Sequence, residues 1–265
     1  MRITVFTSNQ PRHVALIKAL AGVADEVFAV QECLTLFPGE VEDFYSKSEI
    51  MQGYFKNVIA AEQEVFGEVG FLPENVRNLA LRSDDLNRLS VDILIQALDS
   101  DYIIIFGSSY IKPPLVDVLI EKGAINIHMG VSPYYRGAAC NFWALYDNNA
   151  ELVGATIHKL TQGLDDGDIL FHAFPARGNI NPFLLGMMAV RAAQNGLVEH
   201  IRSGNLARIE ARQQVKADEI RYTKNRQFTD EIVSEYLSRQ LLPEDIGNML
   251  SNAQKRDLQV PYFDS

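Results

Sequence analysis

Residues 101–128 read DYIIIFGSSYIKPPLVDVLIEKGAINIH and contain a strand–helix–strand unit. The continuous apolar run within 101–106 is typical of a strand buried in a parallel sheet. A double proline then precedes a helical pattern at 115–121, and a glycine follows it, as at many helix ends. The segment 124–128 is the next strand. This unit predicts an α/β fold, with a Rossmann-like, mostly parallel sheet flanked by helices.

The same alternation of strands and helices extends along the chain in both directions. Further strands are predicted at 2–7, 26–30, 153–160 and 169–174. Helical patterns are predicted at 14–20, 40–67, 86–98, 141–146, 182–201, 229–241 and 243–256. The segment after Gly204 is more polar and irregular. We therefore expect a catalytic domain at 1–203 and a small, mainly helical C-terminal extension at 204–265.

The composition is that of a soluble protein with an acidic surface. The chain has 265 residues, 47% of them hydrophobic, and a formal net charge of -10. An acidic surface repels phosphate backbones, so nucleic acid is not expected as a partner. Two cysteines make neither a disulfide framework nor a zinc site. Because no apolar run reaches the length of a signal peptide or of a membrane span, we expect a cytoplasmic protein that does not bind membranes.

Two polar residues interrupt the strand at 124–128. Asn126 and His128 are two positions apart, so their side chains project from the same face. An amide can donate to a developing oxyanion, and an imidazole can transfer a proton near neutral pH. The alternative is a buried histidine with a purely structural role. Each polar group, however, needs a partner, because leaving it unsatisfied costs about 1–3 kcal/mol.

The loop 161–168 (TQGLDDGD) carries three carboxylates between two predicted strands. Its spacing does not match a calcium-binding loop. Asp166 and Gly167 are consistent with a plain turn. Asp165 is a candidate to reach back to His128, where it would raise the pKa of the imidazole and fix its orientation.

Two further turns are candidate ligand sites. SNQPRH (8–13) follows the first strand but lacks the G-x-G-x-x-G pattern, so it is either a binding site for an anionic group or a solvated helix start. FGSSYIK (106–112) follows a buried strand at the edge where open α/β sheets bind ligands. A glycine and two serines there would admit a flat ligand, although a simple connection is the alternative.

Four motifs occur in order: NIH (126–128), SPYYRGA (132–138), GATIH (154–158) and GLDDGDIL (163–170). Together they resemble the folate-dependent formyltransferase family, over roughly 102–174. The resemblance implies transfer of a formyl group from 10-formyltetrahydrofolate to a primary amine, without a metal. It implies Asn126, His128 and Asp165 as the catalytic residues.

The resemblance also implies a slot for the pterin ring of the donor, built from two loops. The residues implied are Phe106, Ser109, Tyr110, Ile111, Lys112, Thr161, Gln162, Gly163 and Leu164. Family members that act on glycinamide ribonucleotide carry a Gly-Ser-Asn phosphate loop after the first strand, which this chain lacks. Methionyl-tRNA enzymes usually add a C-terminal barrel, whereas here the core is followed only by a segment of about sixty residues that is acidic overall and partly helical.

Three segments, SNQPRH (8–13), YFKNVIAAEQEVFG (54–67) and RYTKNRQFT (221–229), look most like those of sugar N-formyltransferases of bacterial surface polysaccharide pathways. This resemblance implies a nucleotide-linked amino sugar as the acceptor. The residues expected around it are Asn9, Arg12, His13, Tyr134, Tyr135 and Arg136, with the arginines near phosphates. Alternatives are transfer to glycinamide ribonucleotide or methionyl-tRNA, hydrolysis of the formyl donor, or a non-catalytic module that binds folate or a sugar nucleotide. A homodimer is compatible with any of these.

Overall fold

A computed structural model of the chain describes residues 1–36 and 42–264. Within these ranges, ten strands are present. They are β1 (Arg2–Ser8), β2 (Glu26–Cys33), β3 (Val76–Arg82), β4 (Tyr102–Phe106), β5 (Ile125–His128), β6 (Tyr135–Gly137), β7 (Ala155–Lys159), β8 (Ile169–Phe174), β9 (Arg221–Thr223) and β10 (Tyr262–Phe263).

Eight of these strands form the central sheet, in the order β10-β8-β7-β5-β4-β1-β2-β3. The strands from β5 to β3 are mutually parallel. β7 is antiparallel to both of its neighbours, β5 and β8, and β10 pairs in parallel with β8. The prediction of a mostly parallel sheet is confirmed. The strand order reverses between β1 and β4, and in open α/β sheets ligands bind at the carboxyl ends of strands near such a reversal.

Helices cover both faces of the sheet. They are α1 (Pro11–Ala21), α2 (Glu42–Tyr45), α3 (Glu49–Phe66), α4 (Ile95–Leu98), α5 (Leu115–Glu121), α6 (Cys140–Tyr146), α7 (Pro182–Arg202), α8 (Asp230–Ser238) and α9 (Pro243–Ser251). On one face, α1 and α7 bury apolar side chains such as Leu16 and Leu197, and on the other face α5 buries Leu119. Each fully buried side chain of this size contributes about 1.5–3 kcal/mol.

Most of the predicted elements are present, including the six predicted strands and the long helix at 182–201. The predicted helix at 86–98 is wrong. That segment forms two short 3₁₀ turns, Leu86–Arg88 and Val91–Leu94, followed by α4. Ser90 starts the second turn by accepting a hydrogen bond from the backbone of Asp92, which interrupts a continuous helix. The predicted helix at 40–67 is divided into α2 and α3, and its first residues lie outside the described ranges.

The C-terminal segment packs closely on the preceding chain. β10 adds an edge strand to the central sheet, whereas β9 pairs with β6 in a separate two-stranded sheet. Helices α8 and α9 bury Val233 and Ile246 in a cluster with α6. The division at residues 203 and 204 stays a prediction. Within 1–36 and 42–264, no helix combines the length and the apolar character needed to span a membrane.

Candidate active site

The site begins on β5, which carries Asn126 and His128 on one face. His128 is 6% exposed. The antiparallel neighbour β7 places His158 directly opposite Asn126, and the amide nitrogen of Asn126 lies 3.0 Å from Nε2 of His158. No role was predicted for His158 from the sequence. Its position follows from the antiparallel register of β5 and β7, because residues directly opposite each other share a face.

The loop after β7 folds over this face and brings in Asp165. Its Oδ2 lies 3.2 Å from Nδ1 of His128, and its Oδ1 lies 3.4 Å from the amide nitrogen of Asn126. Asp165 adopts a left-handed backbone conformation with φ of 51°, which aspartate tolerates better than most residues. The prediction that Asp165 reaches His128 is therefore confirmed.

His128 and Asp165 form a buried ion pair. Burial is the largest single influence on the pKa of His128 and lowers it, but the Asp165 carboxylate and, after it, Cys140 together outweigh burial and raise that pKa well above 6.5. Burial likewise raises the pKa of Asp165, and the nearby His128 reverses the shift, so the carboxyl titrates well below 3.8. At neutral pH the pair is an imidazolium and a carboxylate.

The hydrogen bonds of Asn126 orient its amide. Nδ1 of His158 lies 2.8 Å from the carbonyl oxygen of Lys159, so that nitrogen donates and Nε2 of His158 accepts. One N–H of Asn126 is thereby held on His158. The second N–H faces Asp165 across the longer 3.4 Å contact. This weakly engaged donor is the one available to a developing negative charge.

The other ring nitrogen of His128 lies against a tightly packed wall. Nε2 is 3.3 Å from the carbonyl oxygen of Tyr135. A Cβ atom at Gly130 would lie 2.6 Å from this Nε2 and 2.5 Å from Cβ of Cys140, so only glycine fits there. Close packing therefore fixes the imidazole on one side, and Asp165 fixes it on the other.

The two loops implied for the donor meet in the structure. The Tyr110 hydroxyl donates to the carbonyl oxygen of Gln162 at 2.7 Å. Tyr110 is 57% exposed and Leu164, the residue before Asp165, is 43% exposed, so an aromatic ring and an apolar side chain are accessible on these loops. Ser109, Lys112, Thr161 and Gly163 lie on the same two loops. These residues fit a flat heterocycle held by backbone groups and apolar contacts.

Two residues expected in the donor slot lie instead in the core. Phe106 is 3% exposed and packs on His13, with ring centroids 5.0 Å apart. Ile111 is 6% exposed and belongs to the cluster on the α5 face of the sheet. Their apolar side chains support the loop from below, because burial in the core stabilises them more than exposure at a slot would.

Two tyrosines expected near the acceptor are also core residues. Tyr134 is 6% exposed and Tyr135 is 1% exposed. The Tyr134 hydroxyl bonds to the backbone of Asp257, and the Tyr135 hydroxyl donates to Asp147 at 3.1 Å. Their positions do not support contact with the acceptor, since their polar ends already satisfy protein groups.

Arg136 anchors the loop that carries Asp165. Its guanidinium donates to the carbonyl oxygens of Asp165 and Leu164 at 3.2 and 3.1 Å. It also pairs with Glu219 of the C-terminal segment at 3.2 Å. Arg136 thus holds the loop of Asp165 in place, and Glu219 already compensates the charge of Arg136.

In the turn after β1, the side chains of Asn9 and Arg12 likewise bind other groups of the protein. The Asn9 side chain both donates to and accepts from the backbone of Leu34. Arg12 pairs with the buried Glu62 at 2.7 Å, and Glu62 also accepts from the Arg12 backbone N–H. His13 is 3% exposed, and burial followed by the charge of Arg12 lowers its pKa well below 6.5. The structure does not bring these three side chains to the His128–Asp165 pair.

In the part of the chain that the structure describes, no group of three or more His, Cys, Asp or Glu side chains has an arrangement suited to a metal ion. His128, His158 and Asp165 lie close together: Asp165 is 3.2 Å from Nδ1 of His128 and 3.8 Å from Nε2 of His158.

Comparison with known proteins agrees with this geometry. A family model described as formyl transferase matches residues 1–176, which include both strands and the loop of the site. This chain belongs to the formyl transferase family. The family match covers the motifs around Asn126, His128 and Asp165.

Sequence relatives within the family include methionyl-tRNA formyltransferases. The one from Synechococcus sp. is 34% identical over 103 residues, which are 38% of this chain and 31% of the relative. The one from Acinetobacter baylyi is 25% identical over 154 residues, which are 58% of this chain and 48% of the relative. The matched regions thus span a third to a half of the length of these relatives.

Solved structures share the fold at low sequence identity. A 4-N formyltransferase from Francisella tularensis aligns with a TM-score of 0.52 and 17% identity, covering 86% of this chain and 77% of the other. Glycinamide ribonucleotide transformylase 1 from Symbiobacterium toebii aligns with a TM-score of 0.51 and 16% identity, covering 80% and 93%. These alignments establish the formyltransferase fold.

Proposed function

We propose that the protein transfers a formyl group from 10-formyltetrahydrofolate to the amine of a nucleotide-linked amino sugar, in the synthesis of a surface polysaccharide. The observation that carries the proposal is the buried His128–Asp165 pair beside the oriented amide of Asn126. This set combines a charged donor, a neutral donor and a fixed carboxylate on one face of a short strand.

Each residue has a distinct role in this proposal. Asn126 donates its second N–H to the oxygen of the formyl group as negative charge develops there. The imidazolium of His128 stabilises the same charge and donates its proton to the leaving nitrogen of the donor as the bond from that nitrogen to the formyl carbon breaks. The neutral imidazole that results then accepts the proton lost by the attacking amine. Asp165 keeps His128 protonated and holds its ring in position. His158 is a positioning residue, because it fixes the amide of Asn126.

The donor would lie against the two loops joined by Tyr110 and Gln162. When bound, 10-formyltetrahydrofolate supplies an activated formyl group, so no covalent enzyme intermediate is required. Tyr110 and Leu164 would contact the flat ring, and backbone groups of the loops would read its polar edge. The loop at 161–168 adjoins His128 and Asn126 through Asp165, and Tyr110 joins the loop at 107–112 to it.

Two features favour a sugar over other acceptors. The net charge of -10 disfavours tRNA through long-range repulsion. At the turn after β1, Glu62 accepts a hydrogen bond from the backbone N–H of Arg12 in the first turn of α1. The negative charge of Glu62 would repel a phosphate group placed there. A glycinamide ribonucleotide acceptor that relied on this turn would therefore bind poorly. The shared fold itself does not choose among acceptors, because enzymes with different acceptors have it.

Methionyl-tRNA is the second candidate acceptor, because the sequence relatives named above are methionyl-tRNA formyltransferases. The two proposals are separated by offering the protein 10-formyltetrahydrofolate with each of three acceptor types: a panel of nucleotide-linked amino sugars, glycinamide ribonucleotide and charged initiator tRNA. Mass spectrometry then detects the formylated product. A formylated amino sugar supports the proposal; product with tRNA alone would replace it, and formate without any formylated amine would indicate hydrolysis.

A further inference from the structure

The loop at 107–112 is held from below by a buried carboxylate. Glu32 stands near the end of β2 and is 3% exposed. Its Oε2 accepts from the backbone N–H of Ser109 at 2.6 Å, and its Oε1 accepts from the Ser109 hydroxyl at 3.0 Å. A carboxylate that accepts from both donors of one residue fixes the position of that residue.

The same carboxylate also binds the segment after β3. Oε1 of Glu32 accepts from the backbone N–H of Asp84 at 2.9 Å and from that of Leu86 at 3.4 Å. An ionised carboxyl group has acceptor sites for about four donors. Glu32 therefore joins three segments of the chain: β2, the segment after β3 and the loop at 107–112. Each of its partners is a backbone N–H group or a hydroxyl group, which can donate to a carboxylate.

Asn87, at the first 3₁₀ turn, completes the attachment. Its amide nitrogen donates to the carbonyl oxygen of Tyr110 at 2.9 Å, and its Oδ1 accepts from the backbone N–H of Lys112 at 2.7 Å. The side chain thus bridges two backbone groups of the loop. Because Asp84 and Leu86 bind Glu32, the position of Asn87 depends on the same carboxylate.

We infer that Glu32 and Asn87 are positioning residues for the formyl donor, holding the loop at 107–112 in the shape that receives the pterin ring. The inference rests on the proposed function, in which this loop binds the donor. Neither side chain needs to touch the ligand. Fixing the loop before binding lowers the entropy lost when the donor is bound, so the effect is on donor affinity and not on the chemical step.

Glu32→Gln tests this with little change in size. The Glu32 carboxylate accepts hydrogen bonds through both of its oxygens. In glutamine an NH2 group replaces one of these oxygens, and because it can only donate, it cannot pair with the donor that it faces. We expect the dissociation constant for tetrahydrofolate, measured by calorimetry, to rise about tenfold, with amide hydrogen exchange at 107–112 faster by at least as much. The KM for the donor should rise similarly while kcat changes little. Glu32→Asp, which keeps the charge but shortens the reach, should show the same defect.

Glu151→Gln is the matched control. Glu151 is also a buried glutamate, but it pairs with Arg256 and makes no hydrogen bond to the loop at 107–112. The control variant should leave both tetrahydrofolate affinity and exchange at 107–112 unchanged. Asn87→Ala is a second test variant that removes only a partly exposed side chain, and it should weaken tetrahydrofolate binding severalfold.

The outcomes separate the inference from the proposed function. Unchanged loop exchange in Glu32→Gln would overturn the anchoring role, whether or not the protein binds folate. Faster exchange with unchanged affinity in both variants would overturn the donor role and leave the proposed formyl transfer standing. If the wild-type protein bound no tetrahydrofolate, both the proposed function and the donor role would be rejected.

Discussion

Nδ1 of His128 lies 3.2 Å from Oδ2 of Asp165, so a strand residue and a loop residue form one buried ion pair. The loop is in turn held by Arg136, whose guanidinium binds the backbone of Asp165. The charge state of the His128 imidazole therefore depends on the conformation of the loop at 161–168, which is distant from His128 in sequence. Five predictions rest on this site and on the contacts around it, beyond those already attached to the proposals.

The amide and the imidazole should be required for turnover and dispensable for donor binding. Asn126→Ala removes the N–H that faces the developing charge and should lower kcat about 100- to 1000-fold. His128→Ala should lower kcat about 100-fold or more. Rapid-quench measurements of formyl transfer give kcat, and calorimetry with tetrahydrofolate gives affinity. Full activity in either variant would contradict the assignment.

Asp165→Asn should shift the pH profile of turnover. The carboxylate holds the pKa of His128 well above 6.5 against burial, which lowers it. Without the carboxylate the pKa falls, so the alkaline limb of kcat moves to lower pH and turnover at neutral pH drops. A profile of kcat against pH for both proteins checks this. An unmoved alkaline limb would show that His128 does not act as the imidazolium.

The same pair makes folding stability depend on pH in two windows. His128, whose pKa is raised by folding, contributes stability that is complete below 6.5 and is lost as pH rises through its raised value. Asp165, whose pKa is lowered, contributes stability above 3.8 that is lost as pH falls through its lowered value. In Asp165→Asn, urea denaturation at a series of pH values should show both contributions diminished.

His158 should act through Asn126. His158→Ala frees the amide of Asn126 and should lower kcat about tenfold, or ~1.4 kcal/mol, with donor KM nearly unchanged. In the double variant with Asn126→Ala, the His158 substitution should cost little more, because its effect passes through the missing amide. Additive losses in this cycle would indicate an independent role for His158.

Arg12 should matter for stability through Glu62. Removing the arginine leaves a carboxylate, 7% exposed, without its charged partner. Arg12→Ala should therefore lower the free energy of unfolding by about 2 kcal/mol. Adding Glu62→Gln should restore part of that loss, since it removes the orphaned charge. Arg202→Ala is a matched control, because its pair with Glu199 is exposed at the surface and should contribute less than about 0.5 kcal/mol.

The sequence was sufficient to predict elements that have a continuous apolar run or a strong periodic pattern. The buried strands β4 and β8 and the long helix α7 were predicted close to their observed bounds. β3 was not predicted, because it lies at the edge of the sheet, where exposed residues such as Arg77 and Asn78 obscure any alternation. β6, β9 and β10 are only two or three residues long. They form by pairing with segments that are distant in sequence, and such pairing cannot be predicted from a local sequence pattern.

The candidate site was predictable to a similar degree. The spacing of Asn126 and His128 showed that they share a face, and the motif order directed attention to Asp165. The acceptor residues were harder to identify, because a tyrosine or arginine in a loop suits both ligand binding and internal packing. Tyr135 and Arg136 bind Asp147 and Glu219 instead, and those contacts join residues that are far apart in sequence.

The pairing of β6 with β9 sets an order for biosynthesis. A nascent chain that ends at residue 203 contains Asn126, His128 and Asp165, but it lacks Thr223 of β9. In the folded protein Thr223 packs so closely on Gly137 of β6 that a Cβ atom at Gly137 would lie 2.0 Å from the carbonyl oxygen of Thr223. Nor does it contain Glu219, the partner of Arg136. On the ribosome, the segment next to β5 therefore cannot make these contacts until residues 219–223 have been synthesised.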